Sequence, residues 1–264
     1  MGNLSNIGRI FYGIAIGGMG AQAIYCMDLP YILPLPEHFP ASGIVILAFI
    51  LGTMFIVAGT SIIFKKWTRQ ICLLFGCMLL LIFCFYYIPY QLLTDPNYMH
   101  LGDWENAEKE LAFAGGALVI AGCFSAQNEN HLSKILAKLI PLGSIFFAIT
   151  IVSFGILHFM YGATVAGMVP SWIPWHLFWI YFAGAALIGA GVGIILKIKT
   201  GVIATLLGTM IFIWFGILHI PRVVAAAPAD MADEITSAFL ALTYSGIAFV
   251  IAGTSLIGAG NNAI

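Results

Sequence analysis

An all-α integral membrane protein, with eight transmembrane helices arranged as two parallel, tandem four-helix bundles, is the fold this 264-residue sequence predicts. Three observations lead there. Apolar residues make up 61% of the chain and charged residues 8%, and the mean hydropathy is +1.03, values foreign to a domain with a water-solvated surface. The chain also repeats itself: residues 52–89 match 184–221 at a constant offset, pairing Gly52 with Gly184, Gly59 with Gly191, Lys65 with Lys197, and Ile88-Pro89 with Ile220-Pro221. Third, the charges segregate. Arg9, Lys65, Lys66, Arg69, Lys134, Lys138, Lys197 and Lys199 fall on one side of the eight-span arrangement, with only Lys109 and Arg222 opposite, so both termini are expected inside.

Apolar runs of roughly 20 residues, enough to cross a hydrocarbon core of about 30 Å, define the helices in order. The first, at 8–27, has Arg9 at its start, then an apolar run and Ala21-Gln22-Ala23, so it imitates a signal peptide with its cleavage site. The same segment recurs at 143–158 in mid-chain, where it can only be a span, and the first is therefore read as a helix. A proline-bearing outer loop with Pro36, Glu37 and Pro40 leads to the second span at 42–64. The short inner turn KKWTR then sends the third span, 70–92, back beside it. The fourth, 108–125, completes the unit assigned to residues 1–126 and ends on VIAG, which returns at 250–253.

Residues 127–138 form a cytoplasmic connector, with Glu129 the one acidic residue expected inside. The second unit, 139–264, repeats the plan with spans at 139–161, 175–196, 201–220 and 237–258, the inner turn now being KIKT. Glycines at packing intervals, such as Gly13 and Gly17 or Gly189 and Gly193, are read as close-approach devices between helices. Alternating-strand barrels are excluded by the unbroken apolar runs. The five cysteines sit in or at the ends of spans, and no CxxC motif or disulfide framework appears.

Ionisable residues inside a membrane are costly and therefore mark candidate sites. The sequence reading finds only histidines there. His158, His219 and His176 share a depth near the outer ends of three spans in the second unit, with Tyr161 and Arg222 nearby on the helical faces and Trp172 and Trp175 as aromatic walls. Their matched positions in the first unit are Ala23, Tyr87 and Ser42, so that unit lacks the cluster. The group is expected to bind a ligand at the outer face of the second unit; an interfacial aromatic belt is the alternative. A quinone carbonyl suits a histidine beside Arg, Tyr and Trp. Haem fits less well without paired histidines at other depths, and zinc or copper without a carboxylate or cysteine at that level.

The stretches GILHFMYGATVAGMVPSWIPWHLFWIYFAGAALIGAG and ATLLGTMIFIWFGILHIPRV resemble the DoxX family of four-helix membrane proteins, with VAGMVPSWIP, HLFWIYF and HIP carrying the likeness. The family includes a membrane subunit of thiosulfate:quinone oxidoreductase and members associated with thiol stress. The resemblance implies a redox-associated subunit in a bacterial cytoplasmic membrane, with lipids and a redox protein as partners and no nucleic acid. It transfers no catalytic residues. The chain has no Fe–S spacing, haem-attachment motif or dinucleotide fingerprint, so electrons must come from a partner. A non-catalytic membrane scaffold is the second reading and a small-molecule transporter the third, ranked last because no charged residue or broken helix marks a midplane site.

Overall fold

A computed structural model describes residues 2–33, 39–97, 99–126 and 130–261, with side chains to residue 256. Pro36, Glu37 and the start of the connector with Glu129 lie outside the described residues. All regular structure among the described residues is helical. Eight long helices follow one another: α1 Asn3–Cys26, α2 Ala41–Phe64, α3 Thr68–Leu93, α4 Glu105–Gly122, α5 His131–Met160, α6 His176–Ile195, α7 Thr200–Ala225 and α8 Met231–Asn261.

Six of them, α2, α3, α5, α6, α7 and α8, are long and apolar enough to cross a membrane, which makes this a multi-pass membrane protein. Their outward faces are apolar. Ile46, Phe49, Ile50, Met54 and Val57 line the exposed side of α2, and Val202, Leu206 and Ile213 that of α7. Polar groups instead turn inward, among them Arg9, Gln91, Lys109 and Glu110. This is the reverse of a water-soluble domain, as expected where lipid replaces water. The two helices that fall short, α1 and α4, carry just such inward-facing charges, Arg9 in one and Lys109 and Glu110 in the other. Helix α4 is enclosed by protein along most of its length, whereas α1 keeps an exposed apolar strip at Ile7, Ile10 and Ile14.

Each helix packs on its neighbours in sequence, and α8 closes back on α1. The seams join the repeated units crosswise: α1 of the first unit packs on α8 of the second, and α4 of the first on α5 of the second. Glycines make both approaches possible. A Cβ on Gly246 would stand 2.7 Å from the Gly8 carbonyl oxygen, and one on Gly143 would stand 2.7 Å from that of Gly115. Aligned on VIAG, Gly115 corresponds to Gly246, so the two crosswise contacts are copies of each other. Inside the units, Gly20 against Gly52 and Gly155 against Gly184 are matched contacts of the same kind.

The backbone repeats in finer detail. Helix α3 contains a π-helical turn at Phe83–Tyr87 and α7 one at Phe215–His219, each immediately before the matched Ile-Pro. A proline within a helix lacks the amide donor, and a wider turn upstream accommodates it. Lys65 and Lys197 are both left-handed, with φ of 57° and 56°. The helices before them close alike, Lys66 N–H donating to the Ser61 carbonyl at 3.2 Å and Ile198 N–H to that of Gly193 at 2.9 Å. Trp67 and Lys199, with φ of 51° and 40°, then start α3 and α7.

Candidate functional site

A cavity of about 400 Å³ lies among α4, α5, α6, α7 and α8. His158 from α5, His219 and Arg222 from α7, Glu105 and Lys109 from α4, and Tyr244 from α8 line it. Three of the seven sequence-predicted residues, His158, His219 and Arg222, are thus brought together. The other four stand apart. Trp172 is 70% exposed and lines a separate cleft, and Trp175 is 79% exposed at the left-handed start of α6. His176 begins α6, half-buried, and lines neither space. Tyr161 turns to the loop between α3 and α4, its hydroxyl 3.1 Å from His100 Nε2. The α5 helix ends at Met160, so Tyr161 no longer follows the helical face that carries His158.

Local geometry sets the chemistry of each wall. His158 Nδ1 lies 2.7 Å from the Phe154 carbonyl oxygen, which can only accept, so Nδ1 carries the hydrogen and a neutral ring keeps Nε2 as an acceptor. His219 sits on the π turn, and among the described residues its buried Nδ1 has no hydrogen-bond partner. Arg222 donates through Nε to Glu234 Oε2 at 2.8 Å and through a second nitrogen to Oε1, a bidentate pair that fixes the guanidinium plane. Across the cavity, Lys109 pairs with Glu105 at 2.7 Å, reaches the Asn106 side-chain oxygen at 3.1 Å and lies 4.8 Å above the Tyr31 ring. Burial pushes the Tyr31 phenol up from its ordinary value, while its 3.2 Å hydrogen bond with Ser237 works the other way.

Beside this cavity, between α6 and α7, a much larger cleft of about 1000 Å³ is walled almost wholly by apolar side chains. Trp179, Met210 and Trp214 border both spaces. The two indoles meet edge to face with ring centroids 6.4 Å apart. Trp179 Nε1 is buried without a partner, and an indole can only donate. Unsatisfied buried donors are uncommon and expensive, so a site holding Trp179 Nε1–H, the Tyr244 hydroxyl and His219 Nδ1 unpartnered is suited to an incoming acceptor.

One sequence expectation is corrected. Histidines are not the only ionisable groups drawn inside, since Lys109 is 5% exposed and Glu110 has no exposed surface. The signal for α4 was present in the repeat: aligned on VIAG, Lys109 meets Leu240 and Glu110 meets Ala241, so these charges interrupt a position that its counterpart keeps apolar. Trp179 and Trp214 carried no such mark. Among the described residues, no group of three or more His, Cys, Asp or Glu side chains could hold a metal ion. Comparison with known proteins finds no matching family model, no matching curated protein and no matching solved structure.

Proposed function

We propose that this chain is an eight-span, DoxX-like protein of a bacterial cytoplasmic membrane that binds a quinone or a similar amphiphile and serves a redox protein partner. The observation that carries the reading is a cavity with unpartnered donors that shares its Trp179–Trp214 border with an apolar cleft. A quinone ring presents carbonyl oxygens, which accept and cannot donate, and an isoprenoid tail is apolar throughout. The head would sit near His219, Trp179 and Tyr244, and the tail would lie between α6 and α7, in contact with lipid. Arg222 and Lys109 are already paired with Glu234 and Glu105, so the site is close to charge-balanced and favours a neutral head over an anionic one.

In this reading α1 and α4 cross the membrane as the other six do, α4 enclosed by its neighbours and α1 turning Ile7, Ile10 and Ile14 to lipid, and the basic residues at Arg9, Lys65, Lys66 and Lys197 keep both termini cytoplasmic. Reporter fusions after Lys66 and Lys199 test the orientation: a periplasmic signal at either would reverse it. Ligand binding is tested by purification in mild detergent, extraction and quinone analysis, with a short-chain ubiquinone analogue titrated against tryptophan fluorescence. A stoichiometric quinone with saturable quenching supports the proposal. Protein free of quinone that the analogue does not quench leaves the scaffold reading in its place.

A further inference from the structure

Three glycines of α6 are explained by what a side chain would strike. A Cβ on Gly184 would stand 3.0 Å from the Gly155 carbonyl oxygen, one on Gly191 2.8 Å from that of Ala148, and one on Gly193 2.5 Å from Ile203 Cδ1. Gly189 is different: among the described residues, a Cβ there would meet nothing within 4 Å, so close approach, the role its spacing suggested, is not what keeps it bare. Only proline is less favourable inside a helix. What Gly189 does have is a place on the wall of the apolar cleft of about 1000 Å³ between α6 and α7, with Ala186 one turn before it.

The repeat shows the same helix face with its side chains in place. Gly189 matches Val57 and Ala186 matches Met54, which stand on the exposed side of α2. Across the cleft, Ile203, Leu206 and Met210 of α7 match the identical residues Ile71, Leu74 and Met78, so at these levels the bulk is missing from α6 alone. The space so opened is not isolated. It shares Trp179, Met210 and Trp214 with the cavity, and among the described residues the buried Trp179 Nε1 at that border has no acceptor. An apolar groove that runs up to polar groups without partners matches a molecule with a polar head and one hydrocarbon chain.

We propose that Ala186 and Gly189 are specificity-determining residues: the room they leave on α6 admits the single hydrocarbon chain of a ligand whose head occupies the cavity, so that the ligand enters sideways from the bilayer. This deepens the quinone reading and rests on it for the identity of the head. The cleft works by permission rather than attraction, because a chain that leaves lipid for another apolar surround loses and gains contacts of the same kind. A chain attached to a seated head must nevertheless lie somewhere, and with the cleft filled it would have to force α6 and α7 apart. Added bulk on α6 therefore penalises a tailed ligand more than the head alone.

Two double variants test this. Ala186→Met with Gly189→Val transfers the first unit's side chains, and Ala186→Phe with Gly189→Phe fills more of the space. In phosphatidylcholine nanodiscs, tryptophan quenching measures the binding of an alkyl-tailed ubiquinone analogue and of the same head without a tail, each expressed as a mole fraction of the bilayer. The ratio of tailed to tail-less affinity should fall about threefold in the first variant and about tenfold in the second. An unchanged ratio, or equal weakening of both analogues, overturns the inference. So does native protein that binds the tail-less head alone, which leaves the quinone head group standing. If the second variant does not fold, the first decides, since a side chain added at Gly189 strikes nothing.

A second measurement needs no quinone. In nanodiscs whose acyl chains carry bromine, quenching of Trp214, taken as the difference between a protein and its Trp214→Phe form, reports a hydrocarbon chain in the cleft that Trp214 borders. Quenching should be present in the native protein and weaker in the first variant. Its absence, or equal quenching in the two, overturns the inference. If neither analogue binds, the quinone reading falls and the bromine result alone decides whether the cleft takes a chain; it decides likewise if the tail-less head binds too weakly to compare.

Discussion

Tyr87 and His219 occupy the same place in matched helices, each the last residue of a π turn before Ile-Pro, and differ in burial and in hydrogen bonding. Tyr87 is 1% exposed, fills the interior of the first unit and donates to the carbonyl of Ile32. His219 faces a cavity of about 400 Å³ and leaves Nδ1 without a partner. The backbone around them repeats down to the π turns and left-handed lysines, so the difference lies in side chains. The matched segments share the same local backbone. Tyr87 borders a smaller space of about 300 Å³ beside Gln91, Asp95 and Asn106, whereas the space beside His219 is larger and takes in charged residues of α4 from the first unit.

The most damaging way to sharpen this comparison is to remove the side chain that is buried and hydrogen-bonded. Tyr87→Ala removes a large buried ring and a hydrogen bond, and should destabilise the protein by about 3–5 kcal/mol. His219→Ala enlarges a space that already exists and removes a nitrogen with no partner, so it should cost less than about 1 kcal/mol. Unfolding by SDS titration from mixed micelles measures both. Equal losses would mean that the cavity is closed in solution and that the two interiors are alike.

Smaller effects are expected where the copies agree. A Cβ on Gly20 would stand 2.8 Å from Phe55 Cβ, and one on Gly155 would stand 2.6 Å from Ile188 Cγ1, each also crowding the facing glycine's carbonyl oxygen. Gly20→Ala and Gly155→Ala should therefore each cost about 1–3 kcal/mol, as overpacking does. A loss confined to one of them, in the same unfolding assay, would show that the matched crossings differ in how far they can spread.

Function should separate the copies again. His219→Phe keeps the aromatic volume but removes the polar nitrogens, and should weaken the ubiquinone analogue by about 1 kcal/mol, roughly fivefold. Tyr87→Phe should leave that affinity unchanged, because Tyr87 does not line the cavity. Fluorescence titration of both variants is the check, and equal effects, or none at either position, would remove the assignment of binding to the second unit.

How much of this could be read in the sequence follows from what a repeat reveals. Substitutions at matched positions pointed to His158 and His219, and the structure brings them together with Arg222. Trp172 and Trp175 were gathered by depth, Tyr161 by an assumed helical face and His176 by depth and its match to Ser42, and none of these fixes direction: Tyr161 follows the end of α5 and turns to His100, while Trp175 begins α6 in a left-handed conformation. The α4 charges were assigned to the outer surface because a span was defined by its apolar run. A helix enclosed by other helices is free of that requirement, and the departure of Lys109 and Glu110 from the repeat was the better guide. The Trp179–Trp214 border depends on two helices standing apart, which no local pattern encodes.

The smallest test returns to what the copies share. Lys65 and Lys197 hold φ of 57° and 56°, a region in which a side chain is strained and glycine is not. Relief of that strain should be worth about 1 kcal/mol or slightly more. Glycine also loses more freedom on folding, about 0.5–1 kcal/mol, which offsets much of the gain. Lys65→Gly and Lys197→Gly should therefore each stabilise by only about 0.5 kcal/mol. Because the sites close different helices and share no bond, the double variant should gain about 1 kcal/mol in the SDS assay. Fusions after Lys66 in the same variants would show whether orientation survives the lost charge, as the remaining Arg9, Lys66 and Arg69 require. Unequal gains would place a stabilising contact on one lysine's side chain, and the repeat would then be a match of backbone without a match of energy.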